Sequence, residues 1–151
     1  MGEQVSKGFE LSAAARPLEG MMLYAGYSYI DAETTKDTNP DLVGKHIRNI
    51  PRHGIVLRGD YEVRRGVLSG FSLGGSGTYT GRRAADIDES FDLPGYWRFD
   101  AQMGYAVTPH IRLGASVENL ADKRYFTHAF SAFEVWPGAP RTWRVNMTTR
   151  F

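Results

Sequence analysis

The sequence contains no cysteine, which excludes a disulfide framework and any metal site built from thiolates. It also lacks a run of roughly 18 consecutive apolar residues, the length that a membrane-spanning helix needs, so a helical membrane protein is excluded. An excess of one charge is missing as well, because 18 basic and 17 acidic residues leave a formal net charge of +1. This balance argues against nucleic acid or an anionic membrane surface as a partner.

Glycine and aromatic residues are abundant, with 17 glycines and 13% aromatics in 151 residues, and this mixture favours twisted strands over helices. Apolar and polar residues alternate along most of the chain, which predicts about seven antiparallel strands of ~9 to 12 residues. The predicted strands cover residues 9–15, 23–31, 55–63, 71–80, 98–107, 112–118 and 143–151. Short turns near 16–20, 64–66 and 108–110 alternate with long loops at 33–51, 81–95 and 119–140, as in transmembrane barrels.

The two faces predicted for these strands differ in chemistry. One face is apolar and carries aromatics near the strand ends, a pattern typical of the interfacial girdles of a membrane barrel. These aromatics are Tyr27, Tyr29, Tyr61, Tyr79, Phe99, Tyr105, Trp143 and Phe151. The other face holds charges of both signs, at Arg58, Asp60, Glu62, Arg98, Asp100, Arg112, Glu118, Arg144 and Arg150. A wide lumen with water or a plug accommodates so many charges, whereas a small filled barrel does not.

Several strings occur in the order and spacing of a known family. They are GFEL at 8–11, YAGYSYIDAE at 24–33, GK at 44–45, NIPRH at 49–53, DLPGY at 92–96, ENLADKRYF at 118–126, GAPR at 138–141 and RF at 150–151. Over nearly its whole length the sequence resembles the TonB-dependent siderophore receptors. The resemblance implies an all-β, antiparallel, up-and-down transmembrane barrel of about 22 strands in the bacterial outer membrane, plugged by a separate N-terminal domain.

The resemblance further implies that residues 1–151 are the C-terminal part of such a barrel, in a receptor that imports ferric siderophores with energy passed on by TonB. The plug, the TonB-contacting segment, a signal peptide and roughly fifteen strands have no counterpart here, which leaves a fragment and a truncated reading frame both open. No resident cofactor is implied, because iron is cargo. The expected partners are the ferric siderophore, the plug and remaining strands, the TonB complex, the barrel assembly machinery and outer-membrane lipid. Phe151 resembles the assembly signal, although an ordinary girdle aromatic is the alternative.

Candidate ligand contacts lie in the loops, because a large, often anionic chelate needs aromatic surface and cationic donors. They are Arg82 and Arg83 in one loop, and Tyr125, Phe126, His128, Phe130, Phe133 and Trp136 in another. The alternative is that these aromatics pack the loops against each other. A second set of candidates faces the lumen or plug, namely Arg58, Asp60, Arg98, Asp100 and Arg112, for which a hydrated wall with mutual pairing is the alternative.

Two other kinds of site have weak signals. The string GFSLG at 70–74 matches G-x-S-x-G, but a serine hydrolase needs this serine on a strand-to-helix turn, and Ser72 lies within a predicted strand. The four histidines show no spacing typical of metal ligands, so no catalytic or metal site is predicted. Another outer-membrane barrel, a soluble β-barrel binding module and an outer-membrane hydrolase remain alternative hypotheses.

Overall fold

Strands account for nearly all regular structure in the computed structural model, which describes residues 2–151. In chain order they are β1 Glu3–Ala15, β2 Met21–Lys36, β3 His53–Glu62, β4 Phe71–Thr80, β5 Arg83–Ala84, β6 Asp92–Leu93, β7 Tyr96–Thr108, β8 Ile111–Glu118, β9 Phe126–Ser131, β10 Glu134–Pro137 and β11 Thr142–Thr149. A 3-10 turn, Pro40–Leu42, follows β2. Within the described range, no helix has the length and apolar character that crossing a membrane requires.

The seven long strands form one antiparallel sheet in the order β1-β2-β3-β4-β7-β8-β11. Each long strand therefore pairs with the next one along the chain, and the predicted up-and-down arrangement of seven strands is confirmed. The remaining four strands make two small hairpins, β5 with β6 and β9 with β10, inside the connections that follow β4 and β8. The predicted loops at 81–95 and 119–140 each contain one of these hairpins.

The second strand is longer than its side chains indicate. Alternation predicted an end near Asp31, but β2 continues to Lys36, which lies opposite Glu3 of β1. Alternation identifies a strand only where one face is apolar throughout. Beyond Asp31 the β1–β2 pair has only Ala32 and Val5 as apolar residues, and they lie in different rows. Backbone hydrogen bonds sustain the ladder there, and an ion pair between Lys36 and Glu3 (2.6 Å) joins the two strands at its end.

The pairing register sorts the side chains of the sheet onto two faces. Residues directly opposite in an antiparallel ladder lie on the same face. One such row runs across four strands through Ala25, Leu57, Gly77 and Phe99. The adjacent row on the other face runs through Tyr24, Arg58, Ser76 and Asp100. The predicted separation into an apolar and a charged face is thus present in one continuous sheet.

The apolar face has no covering layer among residues 2–151. Leu11, Leu73 and Met103 on this face are more than half exposed, and Val145 is 83% exposed. Because burying one such side chain is worth roughly 1.5–3 kcal/mol, a face of this size requires a nonpolar environment outside the sheet. A sandwich would have brought two apolar faces together, and the structure shows no second layer in the part that it describes.

Candidate functional site

The connections between the long strands differ at the two edges of the sheet. Loop 1 (37–52), loop 2 (81–95) and loop 3 (119–141) leave from one edge, which we call the long-loop edge. The opposite, short-turn edge carries the segments 16–20, 63–70 and 109–110, and Arg150 joins it through a hydrogen bond from its N–H to the carbonyl of His110. The sequence-predicted ligand residues all lie at the long-loop edge.

Arg83 of loop 2 connects two of the long loops. Its side chain is buried, with 4% of the residue exposed, and Nη2 donates to the carbonyl oxygens of Phe126 (2.7 Å) and Thr127 (2.8 Å) in loop 3. Nη1 donates to the carbonyl of Gly81 at 3.4 Å. Burial lowers the pKa of the guanidinium, against a smaller opposing effect of Tyr96. Arg83, a predicted ligand contact, therefore holds loops 2 and 3 together, with three of its five N–H donors engaged.

Asn49 of loop 1 completes the connection of the three loops. Its side chain pairs with the backbone of Ala129 in both directions, Nδ2 to the carbonyl at 2.8 Å and the Ala129 N–H to Oδ1 at 2.9 Å. The Asn49 N–H donates to the carbonyl of Ala84 in loop 2. The residue adopts a φ of 63°, a conformation that asparagine tolerates better than most residues. Sequence reasoning missed this role, although Asn49 begins the NIPRH string.

A small apolar cluster lies beneath these contacts. It consists of Ala85 and Leu93 of loop 2 and Ala129 of loop 3, with Phe91 and Val135 packed against it. Ala85, Leu93 and Ala129 are among the most buried apolar residues of the described chain. The three loops thus form one packed unit, which we call the loop unit, with its own core above the sheet.

The base of loop 3 is held by Asn119, part of the ENLADKRYF string. Asn119 is almost fully buried with a φ of 53°, and its Nδ2 donates to the carbonyls of Lys123 and Ala139, both at 3.0 Å. The N–H of Lys123 returns a bond to Oδ1 at 2.8 Å. The side chain thereby joins the two ends of loop 3, which accounts for asparagine in this part of the string.

Tyr125, another predicted ligand contact, is buried at the same base. Its ring stacks on Tyr96 with centroids 4.3 Å apart, and the backbone of Gly138 passes directly over it. A Cβ at Gly138 would come within 2.1 Å of the Tyr125 ring. This close approach explains glycine at position 138, the first residue of the GAPR string.

Loops 1 and 2 are also tied by charged groups. His46 meets Glu89 through its backbone N–H and through Nδ1, the latter 2.7 Å from Oε1, while Lys45 donates to the carbonyl of Asp88. Partial burial raises the pKa of Glu89, but the hydrogen bonds from His46 and the nearby positive charge outweigh it. The net effect is a pKa below the ordinary value. The ionised carboxylate is therefore the form that holds the two loops together.

Several loop side chains remain accessible at the surface of the loop unit. Phe133 at the tip of the β9–β10 hairpin is 99% exposed, and Phe126 and Phe130 are also exposed. The guanidinium of Arg48 lies 4.2 Å from the centroid of the Phe130 ring. Trp136 stacks on His128 at 4.4 Å. The hairpin thus presents aromatic faces beside a cation, and Arg48 is a residue that the sequence prediction did not include.

Between loops 1 and 2 lies a cleft of about 620 Å³. Arg82, the other predicted cation, lines it and pairs with Asp92 at 2.5 Å. Its side chain is largely exposed, in contrast to that of Arg83. Whether any of these residues contacts a ligand stays a prediction, since the placement establishes only which of them are accessible.

The charged face of the sheet is internally paired. Arg58 bonds Asp60 at 2.6 Å, and Arg98 bonds Asp100 at 3.0 Å. Arg112 donates to the hydroxyl of Ser72 at 2.7 Å. The five predicted lumen residues, Arg58, Asp60, Arg98, Asp100 and Arg112, therefore line the same side of the sheet. Ser72 lies within β4 and not on the strand-to-helix turn that a hydrolase nucleophile occupies.

The family described as "TonB dependent receptor-like, beta-barrel" matches residues 1–120. The chain belongs to the TonB-dependent receptors. Its two-faced sheet is a section of the wall of an outer-membrane barrel, and the family is one of receptors and transporters.

The relatives share this part of their sequence with the chain. The metal-pseudopaline receptor of Pseudomonas aeruginosa is 38% identical over 151 residues, which is 99% of this chain and 21% of the relative. The ferrichrome outer membrane transporter/phage receptor of Escherichia coli is 32% identical, over 99% of this chain and 20% of the relative. The crystal structure of the siderophore receptor PiuA from Acinetobacter baumannii superimposes with a TM-score of 0.84 at 26% identity, over 98% and 22% of the two chains. The chain thus spans about a fifth of the length of the proteins it matches.

Proposed function

We propose that the polypeptide carrying this chain is an outer-membrane receptor that imports metal chelates of the siderophore class, ferric siderophores first among them, with energy supplied through TonB. The observation that carries the proposal is the two-faced sheet: an uncovered apolar face, a paired charged face and a packed loop unit at one edge. In this arrangement the chain contributes wall and loops, and no residue performs covalent chemistry. The names of the relatives support chelate transport as the class of function.

Ligand capture is assigned to the accessible part of the loop unit. A metal chelate of this class is large, polar and often anionic, so it is held by aromatic faces and cationic donors together. Arg82, Phe130, Phe133 and Trp136 supply both kinds of group on exposed side chains, and the partly buried Arg48 adds a second cation beside Phe130. Arg83 and Tyr125 serve the same site indirectly, because they position the hairpin that carries the aromatics.

The charged face is assigned to the lumen of the barrel, where it lines the space around a plug. Pairs such as Arg58 with Asp60 keep both charges hydrated or bonded, which a wide lumen permits. The edge strands β1 and β11 are not paired with each other, and in the proposed barrel they join further strands of the wall. Insertion by the barrel assembly machinery, with Phe151 as its signal, belongs to the same proposal.

Uptake in living cells tests the proposed function. A strain lacking the gene is supplied with radiolabelled ferric siderophores of hydroxamate, catecholate and carboxylate type, and with the same chelators loaded with nickel or zinc. We expect accumulation of at least one chelate to require the restored gene and an intact TonB system. Equal accumulation with and without the gene, for every chelate, would refute the proposal. Gene-dependent accumulation that persists without TonB would refute its energy coupling.

A further inference from the structure

The short-turn edge carries an excess of positive charge that the transport proposal does not use. Its segments 16–20, 63–70, 109–110 and 150–151 contain four arginines and one glutamate. The glutamate, Glu19, forms an ion pair with Arg65, whose Nη2 lies 3.2 Å from the Glu19 carboxylate. Arg16 and Arg64 have no carboxylate within 4.0 Å in residues 2–151. Two guanidinium groups are therefore left without an acidic partner in the described part of the chain.

These two arginines line the same cleft. It has a volume of about 580 Å³ and lies where the β1–β2 and β3–β4 turns meet, with Arg16, Leu18, Glu19, Met21, Met22 and Arg64 among its lining residues. The Glu19 carboxylate in this lining is the one paired with Arg65. The two turns are held together by the Glu19–Arg65 pair and by the backbone bond from the Glu62 N–H to Gly20. The cleft is therefore a defined feature of two connected turns and not a chance gap between separate loops.

The cleft also lies at the boundary of the apolar face. Met21, which lines it, belongs to the row of Tyr61 and Leu73 on that face. Tyr61 is an aromatic of the kind that marks the level where hydrocarbon gives way to headgroups. Apolar side chains continue past this level into the turns, where Leu18 is exposed and Val67 is 99% exposed. The arginines are thus placed beside side chains that prefer a lipid interface to water.

We propose that the cleft between Arg16 and Arg64 binds the phosphate of an anionic glycerophospholipid in the leaflet next to the short-turn edge. A guanidinium donates two parallel N–H bonds to phosphate oxygens, and two such groups in one cleft fit one anionic headgroup. Leu18 and Val67 then lie in the acyl-chain boundary. An acidic protein segment would satisfy the arginines equally well but would leave these apolar side chains exposed, which favours lipid. The site depends on the membrane location of the barrel and not on which chelate is imported.

Native mass spectrometry of the full polypeptide that carries this sequence, purified in detergent, tests the site. Phosphatidylglycerol and phosphatidylcholine are titrated separately against the wild type and the double variant Arg16→Gln/Arg64→Gln. A basic residue near an anionic lipid surface contributes a free energy equivalent to about fivefold in affinity, so the double variant is expected to bind phosphatidylglycerol about 25-fold more weakly. The wild type is expected to prefer phosphatidylglycerol to phosphatidylcholine, and the double variant to lose that preference.

The matched control is Arg124→Gln, which removes the same charge from an exposed position at the long-loop edge. Unchanged phosphatidylglycerol binding by this control supports the site, whereas an equal loss would mean that only net charge matters and would overturn it. Displacement of the lipid by millimolar inorganic phosphate would overturn the lipid assignment in favour of a simple anion site. The variant Arg16→Lys/Arg64→Lys keeps the charge but loses the forked donors, and we expect it to recover part of the affinity. Heat-modified migration on gels confirms that each variant is folded.

Discussion

Replacement of Arg83 by methionine tests whether this residue holds loops 2 and 3 together or contacts a ligand. Methionine retains the length of the side chain but removes the donors that reach the carbonyls of Phe126 and Thr127. Hydrogen bonds to a charged group contribute about 1.5–3 kcal/mol each, and the loss leaves two carbonyls at a largely buried site. We therefore expect loop 3 to be loosened from loop 2 by about 3 kcal/mol, taking the lower end because water can enter. The sheet itself is expected to remain folded.

Hydrogen exchange of the full polypeptide in detergent measures this loosening directly. A loss of about 3 kcal/mol in local opening free energy corresponds to roughly 100-fold faster exchange of the amides of β9, Phe126–Ser131. Amides of β3 and β4 are expected to exchange as in the wild type. Under the proposed function, affinity for the chelate is expected to fall with the loosening, because the hairpin that carries Phe133 is no longer held.

The adjacent arginine provides the control. Arg82→Met removes the same charge one residue away, but Arg82 is largely exposed and its pair with Asp92 is worth about 0–1 kcal/mol. Exchange in β9 is expected to change by less than about fivefold. If Arg83→Met left β9 protection within twofold of the wild type, or if both variants acted alike, the assignment of Arg83 as the residue that holds loops 2 and 3 together would be wrong.

Two further predictions concern other contacts of the loop unit. The folded state holds the pKa of the Glu89 carboxyl below its ordinary value, so the ionised carboxylate stabilises the contact between loops 1 and 2 through His46. This stabilisation is complete at pH values above the ordinary pKa, and it is lost as the pH falls through the lowered pKa. The protection of the loop 1 amides, which is the intrinsic exchange rate divided by the observed rate at the same pH, is expected to fall over that acidic range, and in Glu89→Gln to be low at neutral pH too; an unaltered pH profile of protection in the variant would contradict this. Gly138→Ala is expected to displace the Tyr125 ring and destabilise loop 3 by about 1–3 kcal/mol, visible as loss of near-UV circular dichroism. Gly75→Ala is the control, because a Cβ at Gly75 would lie 3.5 Å from the carbonyl oxygen of Asp100, an ordinary van der Waals distance. An equal loss of the near-UV signal in this control would show that displacement of the Tyr125 ring is not its cause.

Much of the wall was predictable from the sequence alone. Each strand of a membrane barrel separates hydrocarbon from a wet lumen, so apolar and polar residues alternate along it. This alternation is visible in the sequence without knowledge of which strands pair. The pairs Arg58 with Asp60 and Arg98 with Asp100 follow the same rule, because residues two apart in a strand share a face. The order of the strands followed as well: short turns join β1 to β2, β3 to β4 and β7 to β8, and the alternation of short turns with long loops that is typical of membrane barrels gave the other three pairs.

The loop unit was decided by tertiary structure. Arg82 and Arg83 look alike in the sequence, yet one is exposed and the other is buried against carbonyls 43 and 44 residues along the chain. Asn49 reaches Ala129 across 80 residues. No local pattern reports such contacts, because loop backbone groups find their partners only once the strands beneath have brought the loops together. The sequence alone therefore determined which segments form the wall and which leave it, and only the folded chain decided which loop residues hold the loops together and which remain exposed.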